Sequence, residues 1–485
     1  MPGSQPSTAT RPSAASRVAG AVLLLATLAV TAAAQQPTPV VPTAGARPTY
    51  TTTSVEARQA LADGLDDLAY IDIARAVRRF RQAVALDSSF GLARVLHAAF
   101  APGLDSAQRM AEATRGMSDA ARASTRELLL ATALREQIAE RRDESAKLFR
   151  AAADLYPDDA LFAMLAAQNP SGQRAPAATV EAFRAVTTRF PSFGAPYNGL
   201  AYALLNVGDT TAALEAARKQ VELAPGQPNP LDSYAEMLQV AGRLDSAARY
   251  YADAARADSG FTEAYVGMAE LHQLRGRTAD ARAGLATALR LAAGIEDSLR
   301  YMTYLAQNRV YANDLREAGR QLGAVAQLAE QRRQMGAAAE AHGNLAVLAA
   351  LSNDRAGVSQ HLEHLRRLRR PADSAQVART AGLAWLTAGM TDSLRAVVAT
   401  LPADAHLARA ALATLEKKGE DAQRALEAAR NDGPLARELL AEAHALQQHA
   451  DVARATRQQL HGLRFGVYYN DTDLATAVAL RRAGK

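Results

Sequence analysis

Between residues 194 and 293 the apolar positions recur in a fixed order. Tyr197, Leu200, Ala201 and Leu204 fall at i, i+3, i+4 and i+7, so they share one face of a helix. Leu231, Tyr234, Ala235 and Leu238 repeat that stripe, and Tyr265, Met268 and Ala269 begin it a third time. A second stripe follows each first one: Ala213 and Ala217, then Ala247 and Tyr251, then Ala281 and Leu285. Gly208, Gly242 and Gly276 stand between the stripes at one constant spacing. The pattern predicts pairs of antiparallel helices. The alanine in each first stripe lets the second helix approach closely. The glycine ends the first helix, because it tolerates the left-handed conformation common there. Asp209 to Thr211 are placed to cap the second helix, and Pro225 closes the unit. A single pair cannot bury both its faces, so neighbouring pairs must stack.

The register extends upstream. Pro157, Pro191 and Pro225 keep the same spacing, as do Phe149 and Phe183, with the small Ala217 as the exception before Tyr251. Five consecutive units run from about Arg126 to Ala293. The constant period, the aromatic–Leu–small stripe, the Ala-x3-aromatic stripe and the closing Pro together resemble the tetratricopeptide repeat (TPR) family. The resemblance implies an all-α solenoid of helical hairpins, about eleven or twelve of them, wound as a right-handed superhelix. It also implies a concave groove lined by fixed positions of each first helix. Those positions map onto Asn198, Tyr202 and Asn206 in one unit, Asn229, Asp232, Glu236 and Gln239 in the next, and Glu263, Glu270 and Gln273 in the third. The mapped set holds four carboxylates and no Lys or Arg. It departs from the Lys/Asn clamp by which some TPR co-chaperones hold a terminal carboxylate, so a neutral or basic peptide segment is the better fit.

Outside the best repeats the pattern weakens. The folded array is expected to start at Ser54, giving an N-terminal array over 54–293 whose best repeats are 126–293. Asn169-Pro170-Ser171-Gly172 interrupts it. After Ala293 the register slips, and residues 294–464 read as degenerate repeats outlined by Ala306, Asn313-Asp314, Ala318, Leu322, Leu345, Ala346 and Asn353-Asp354. The aromatic break at Gly466 to Asn470 opens a C-terminal capping element, 465–485, in which Asp471 or Asp473 is placed to cap a last helix.

The N-terminal stretch 1–34 changes the picture of location. Arg11 and Arg17 precede an apolar run over 18–30, and Ala32-Ala33-Ala34 matches a small-residue cleavage site. This reads as a secretory signal peptide cleaved near Ala34/Gln35, and the expected location is periplasmic or secreted. The Pro/Thr-rich stretch 35–53 reads as a flexible linker. Without the two arginines the net charge falls from +5 to +3 (5 − 2), too little for general nucleic-acid binding. The absence of Cys excludes disulfides and thiolate metal sites.

No nucleotide-binding, hydrolase or metalloprotease motif is present, so no catalytic, cofactor-binding or metal-binding residues are assigned. His361 and His364 share a helix face, but no third ligand stands at a recognisable spacing, and they read as a solvated face. Arg366, Arg367, Arg369 and Arg370 follow on an amphipathic helix with Val358, Leu362, Leu365 and Leu368. That helix reads first as a packed repeat helix and second as a weak membrane-surface contact. The expected function is an exported, non-enzymatic scaffold that binds a protein or peptide through its groove. The alternative is a self-associating or peripheral membrane-associated envelope protein.

Overall fold

The computed structural model describes residues 49–120, 123–169, 175–368, 374–399, 401, 405–429, 434–462 and 474–483. The signal-peptide stretch, the linker up to residue 48, the break at Pro170 to Gly172, Arg369 and Arg370, the Gly466 to Asn470 run, Asp471 and Asp473 lie outside the described residues. Among the described residues there are 25 helices and no strand. They divide into two compact units. The described residues up to Ala264, with Leu291–Gly294, form one; Tyr265–Arg290, with the described residues from Ile295 onward, form the other.

The first unit opens at a segment that is held in place. Thr51 donates its backbone N–H to Glu127 Oε1 (2.9 Å) and its hydroxyl to Glu127 Oε2 (2.6 Å). Thr52 donates its hydroxyl to Asp87. Tyr50 is buried, and the Arg126 guanidinium lies over its ring at 5.4 Å and over that of Phe162 at 5.0 Å, with Asp159 bonding the same guanidinium at 2.7 Å. The reading of 35–53 as a flexible linker therefore fails at its end: a buried cation stacked between two rings fixes Tyr50 to Thr52. Ser54 then caps helix Val55–Ala69 by accepting from the Ala57 N–H, as its residue type predicts.

Large rings fill this unit from the second helices: Phe80, Phe149 and Phe183 are fully buried. Two of them lie against a glycine. A methyl group built on Gly199 would sit 2.2 Å from the Phe183 ring, and one on Gly64 would sit 2.6 Å from Phe80. Helices Gly91–Phe100 and Ser106–Asp119 are joined by a similar close approach, with Gly91 against Gly116 and Ala120. That hairpin matches the repeat poorly in sequence because glycine replaces the aromatic–small contact.

The second unit shows why the register slips after Ala293. Helices Ile295–Tyr311, Leu315–Gln331 and Met335–Leu351 each have 17 residues, where Leu244–Ala257 and Thr278–Leu291 have 14. The added length is nearly one turn per helix. The period lengthens with it: the equivalent turn residues Asn313 and Asn353 stand farther apart in sequence than Gly208 and Gly242 do. The last helix, Ala475–Ala483, packs on Pro434–Leu446. Its Arg482 binds Glu442 through two bonds, and its Arg481 donates to Asn313 Oδ1 at 2.8 Å.

One buried amide in this unit is unsatisfied. Asn344 is fully buried, and neither side-chain atom has a hydrogen-bond partner among the described residues. An unpaired buried polar group costs stability that an apolar side chain of similar size does not. Asn344→Leu is expected to raise the urea midpoint, by about 1–2 kcal/mol in unfolding free energy. An unchanged or lower midpoint would show that the amide is satisfied.

Candidate protein-binding face

Ten of the turns inside the hairpins share one geometry. Each passes through a single residue in the left-handed region: Ile71, Glu140, Gly208, Gly242, Gly276, Asn313, Asn353, Gly389, Lys417 and Gln448. The next residue's N–H then bonds the carbonyl five residues back. Asp209 to Leu204 (3.0 Å), Arg243 to Leu238 (2.9 Å), Asp354 to Ala349 (2.8 Å) and His449 to His444 (2.9 Å) are examples. This is the Schellman closure of a helix end. Asp72, Asp209, Asp314 and Asp354 follow it at once and cap the second helix with their carboxylates, at 3.0, 3.0, 3.3 and 2.9 Å. A short uniform turn that ends one helix and caps the next, set at a constant period in the best copies, decides the architecture. The fold is a TPR-type helical repeat.

No family model matches the sequence, and no curated protein matches it. Solved structures do. A MamA protein is similar over 34% of this chain and 91% of its own, at 14% identity and a TM-score of 0.29. A second MamA structure is similar over 33% and 93%, again at 14% identity and 0.29. The APC/C hetero-tetramer Cut9-Hcn1 is similar over 83% of this TPR-type chain and 76% of its own, at 14% identity and 0.45. The hairpin geometry, rather than these distant likenesses, defines the fold.

The mapped groove positions separate into two kinds. Asn198 and Gln239 are buried in the first unit, and Glu270 and Gln273 are buried in the second. Asn198 donates to Ser233 Oγ at 2.9 Å and lies 3.4 Å from Gln220 Oε1. Gln239 accepts from the Tyr251 hydroxyl at 3.1 Å. Gln273 accepts from Asn308 at 3.0 Å. Asn198 and Gln273 thus bond residues 35 positions away, roughly one repeat along the chain. Asn198 and Gln273 bridge neighbouring repeats, Gln239 bonds within its own hairpin, and all three are buried. Sequence cannot make this distinction, because an inward polar residue looks the same whether a neighbouring repeat or a ligand satisfies it.

Tyr202, Asn206, Asn229, Asp232, Glu236 and Glu263 are half-buried in the first unit. Tyr202 donates its hydroxyl to Glu236 Oε2 at 2.6 Å, one repeat farther along, so the same face of two successive first helices is cross-linked. The bond orients the carboxylate and leaves a face that carries three acidic residues and two amides.

The basic helix is a packed repeat helix, as its apolar stripe predicts. Val358, Leu362 and Leu365 are buried within Arg355–Leu368. Arg366 and Arg367 are exposed and both pair with Glu363, at 3.6 and 3.0 Å, and Arg366 also lies over the buried Trp385. His361 and His364 do not lie on a solvated face. Both are half-buried against His342 of the preceding helix, which the sequence spacing did not reveal.

Proposed function

We propose that this chain is an exported, non-enzymatic scaffold that holds an extended, neutral or basic segment of another protein on the inner face of its first helices. The Tyr202–Glu236 bond is the observation that carries the reading. It fixes an acidic and amide-rich face across two repeats before any partner arrives, and a preformed face costs a ligand less ordering. Asn206, Asn229 and Asp232 lie half-buried on the same two first helices. Backbone amides of an extended peptide suit the carboxamides, and Lys or Arg side chains suit Asp232, Glu236 and Glu263. The leader pattern at the N-terminus supports export.

Crosslinked affinity capture from a cell-envelope fraction tests this. The wild-type chain is run beside a variant carrying Tyr202→Ala, Asn206→Ala, Asp232→Ala and Glu236→Ala. The variant is expected to keep its helical circular dichroism and lose at least nine-tenths of the captured partner. Equal recovery of the same proteins by both chains would move the binding surface elsewhere.

A further inference from the structure

The chain has nine histidines, and three of them meet at one place in the second unit. His342, buried on helix Met335–Leu351, stands between two neighbouring helices. Its Nε2 lies 3.1 Å from Glu330 Oε1, near the end of helix Leu315–Gln331. Its Nδ1 lies 3.2 Å from His361 Nδ1 on helix Arg355–Leu368. The His364 ring stacks on it at 4.6 Å, with 13° between the planes. One ligand atom each from Glu330, His342 and His364 falls within 4.8 Å of the other two.

A neutral imidazole has one N–H and one lone pair. When His342 donates Nδ1–H to His361, its Nε2 lone pair faces the Glu330 carboxylate. A cation between these two acceptors, 3.1 Å apart, selects this tautomer; without one, Nε2–H donates to Glu330 and Nδ1 accepts from His361. We propose that Glu330, His342 Nε2 and His364 bind one divalent transition-metal ion of the zinc type, with His361 as the residue that orients His342. Two imidazoles and a carboxylate form a donor set suited to such an ion. A hydrogen bond from the metal-bearing imidazole to a neighbouring group is the usual outer support. Ligand atoms around a tetrahedral ion, with bonds near 2.0–2.2 Å, stand about 3.3–3.6 Å apart, so the site must tighten from its present span. Two parallel stacked rings cannot both aim a lone pair at one ion. His364 therefore turns out of the stack, which its half-buried position and soft ring torsion permit. The Glu330 side chain is 46% exposed, so ions reach it from solvent. Bound there, the ion ties three consecutive helices together. No cysteine in the chain competes for it.

The test uses the full untagged chain, stripped with chelator and titrated with zinc chloride by calorimetry and by thermal unfolding. Cobalt(II) serves as the optical probe. Saturable binding of one ion per chain is expected, with a micromolar or tighter Kd, a rise in the melting temperature and cobalt bands of a tetrahedral nitrogen–oxygen site. Glu330→Gln and His364→Ala are each expected to weaken binding at least tenfold, with unchanged helical circular dichroism. His406→Ala, on a different helix, is expected to bind as wild type. No saturable binding up to about 1 mM zinc, a range in which a site of this donor set is filled, would overturn the proposal. So would equal binding by Glu330→Gln and His364→Ala. Either result would leave the cluster as a hydrogen-bonded ladder running from Glu330 through His342 to His361.

Discussion

Gly91→Ala is expected to lower the stability of the N-terminal hairpins by about 3 kcal/mol, at the upper end of ordinary overpacking. The added methyl would stand 2.3 Å from the Gly116 carbonyl oxygen and 2.4 Å from the Ala120 nitrogen. Those atoms are backbone, held by helix Ser106–Asp119, and cannot swing aside as a flexible side chain would. Relief requires the two helices to part, which opens the packing around the buried Leu92, Val95 and Leu96. Hydrogen exchange should quicken across Gly91–Phe100 and Ser106–Asp119 before any other hairpin is affected, because a repeat array opens locally. Gly323→Ala is the matched control. Gly323 lies inside helix Leu315–Gln331 with nothing within 4 Å of the added methyl, so alanine there should stabilise by about 0.5–1 kcal/mol. If both variants behave alike, the close approach at Gly91 is not real.

The second large effect depends on pH. Asp67, on helix Val55–Ala69, is almost fully buried, and its pKa is pushed up from 3.8 to about 7. Burial is the main cause, and the Asp72 carboxylate adds to it. Arg75 and Arg79 oppose it from 3.6 and 3.9 Å, beyond hydrogen-bonding reach, so they do not restore the charged form. The folded pKa lies above the unfolded one. Between about pH 4 and 7 the native state therefore binds more protons, and stability falls as pH rises through that window. Asp67→Asn removes the penalty. The variant's advantage over wild type should be about 4 kcal/mol larger at pH 8 than at pH 4, the free energy of a shift of about three pKa units at ~1.4 kcal/mol each, with the two arginines already counted in it. Whatever burying the amide costs is the same at both pH values, so the difference isolates ionisation. Urea unfolding at the two pH values measures it, and an equal advantage at both would place the Asp67 carboxylate in its ordinary range.

The architecture was legible where glycine marked the turns. Gly208, Gly242 and Gly276 announce the period, and the helices around them lie where the apolar stripes put them. The period fades where the same left-handed turn is made by Ile71, Glu140, Asn313, Lys417 or Gln448. Residues other than glycine are held there at a cost of about 1–2 kcal/mol, which the surrounding hairpin outweighs, so the residue type stops reporting the conformation. The longer repeats of the second unit escaped for a related reason: apolar stripes fix a helix face but not its length. The positions assigned to a groove were legible only as a polar face. That Asn198, Gln239 and Gln273 are satisfied within the array needed the distances between helices. The histidine cluster was hidden most completely. Glu330, His342 and His364 sit on three successive helices, at sequence intervals that mean nothing until those helices are laid side by side.

The uniform turn has a consequence for how such a chain changes over generations. Each of the ten closures is made by backbone atoms and one left-handed residue, with no side chain specific to its place. A duplicated or deleted stretch that begins and ends at equivalent points of two hairpins rejoins through a joint of the same form. The chain can therefore grow or shrink by whole hairpins. The losses to be repaired are confined to facing side chains such as Tyr202 and Glu236, whose partner would now be a different residue at the same position one repeat away.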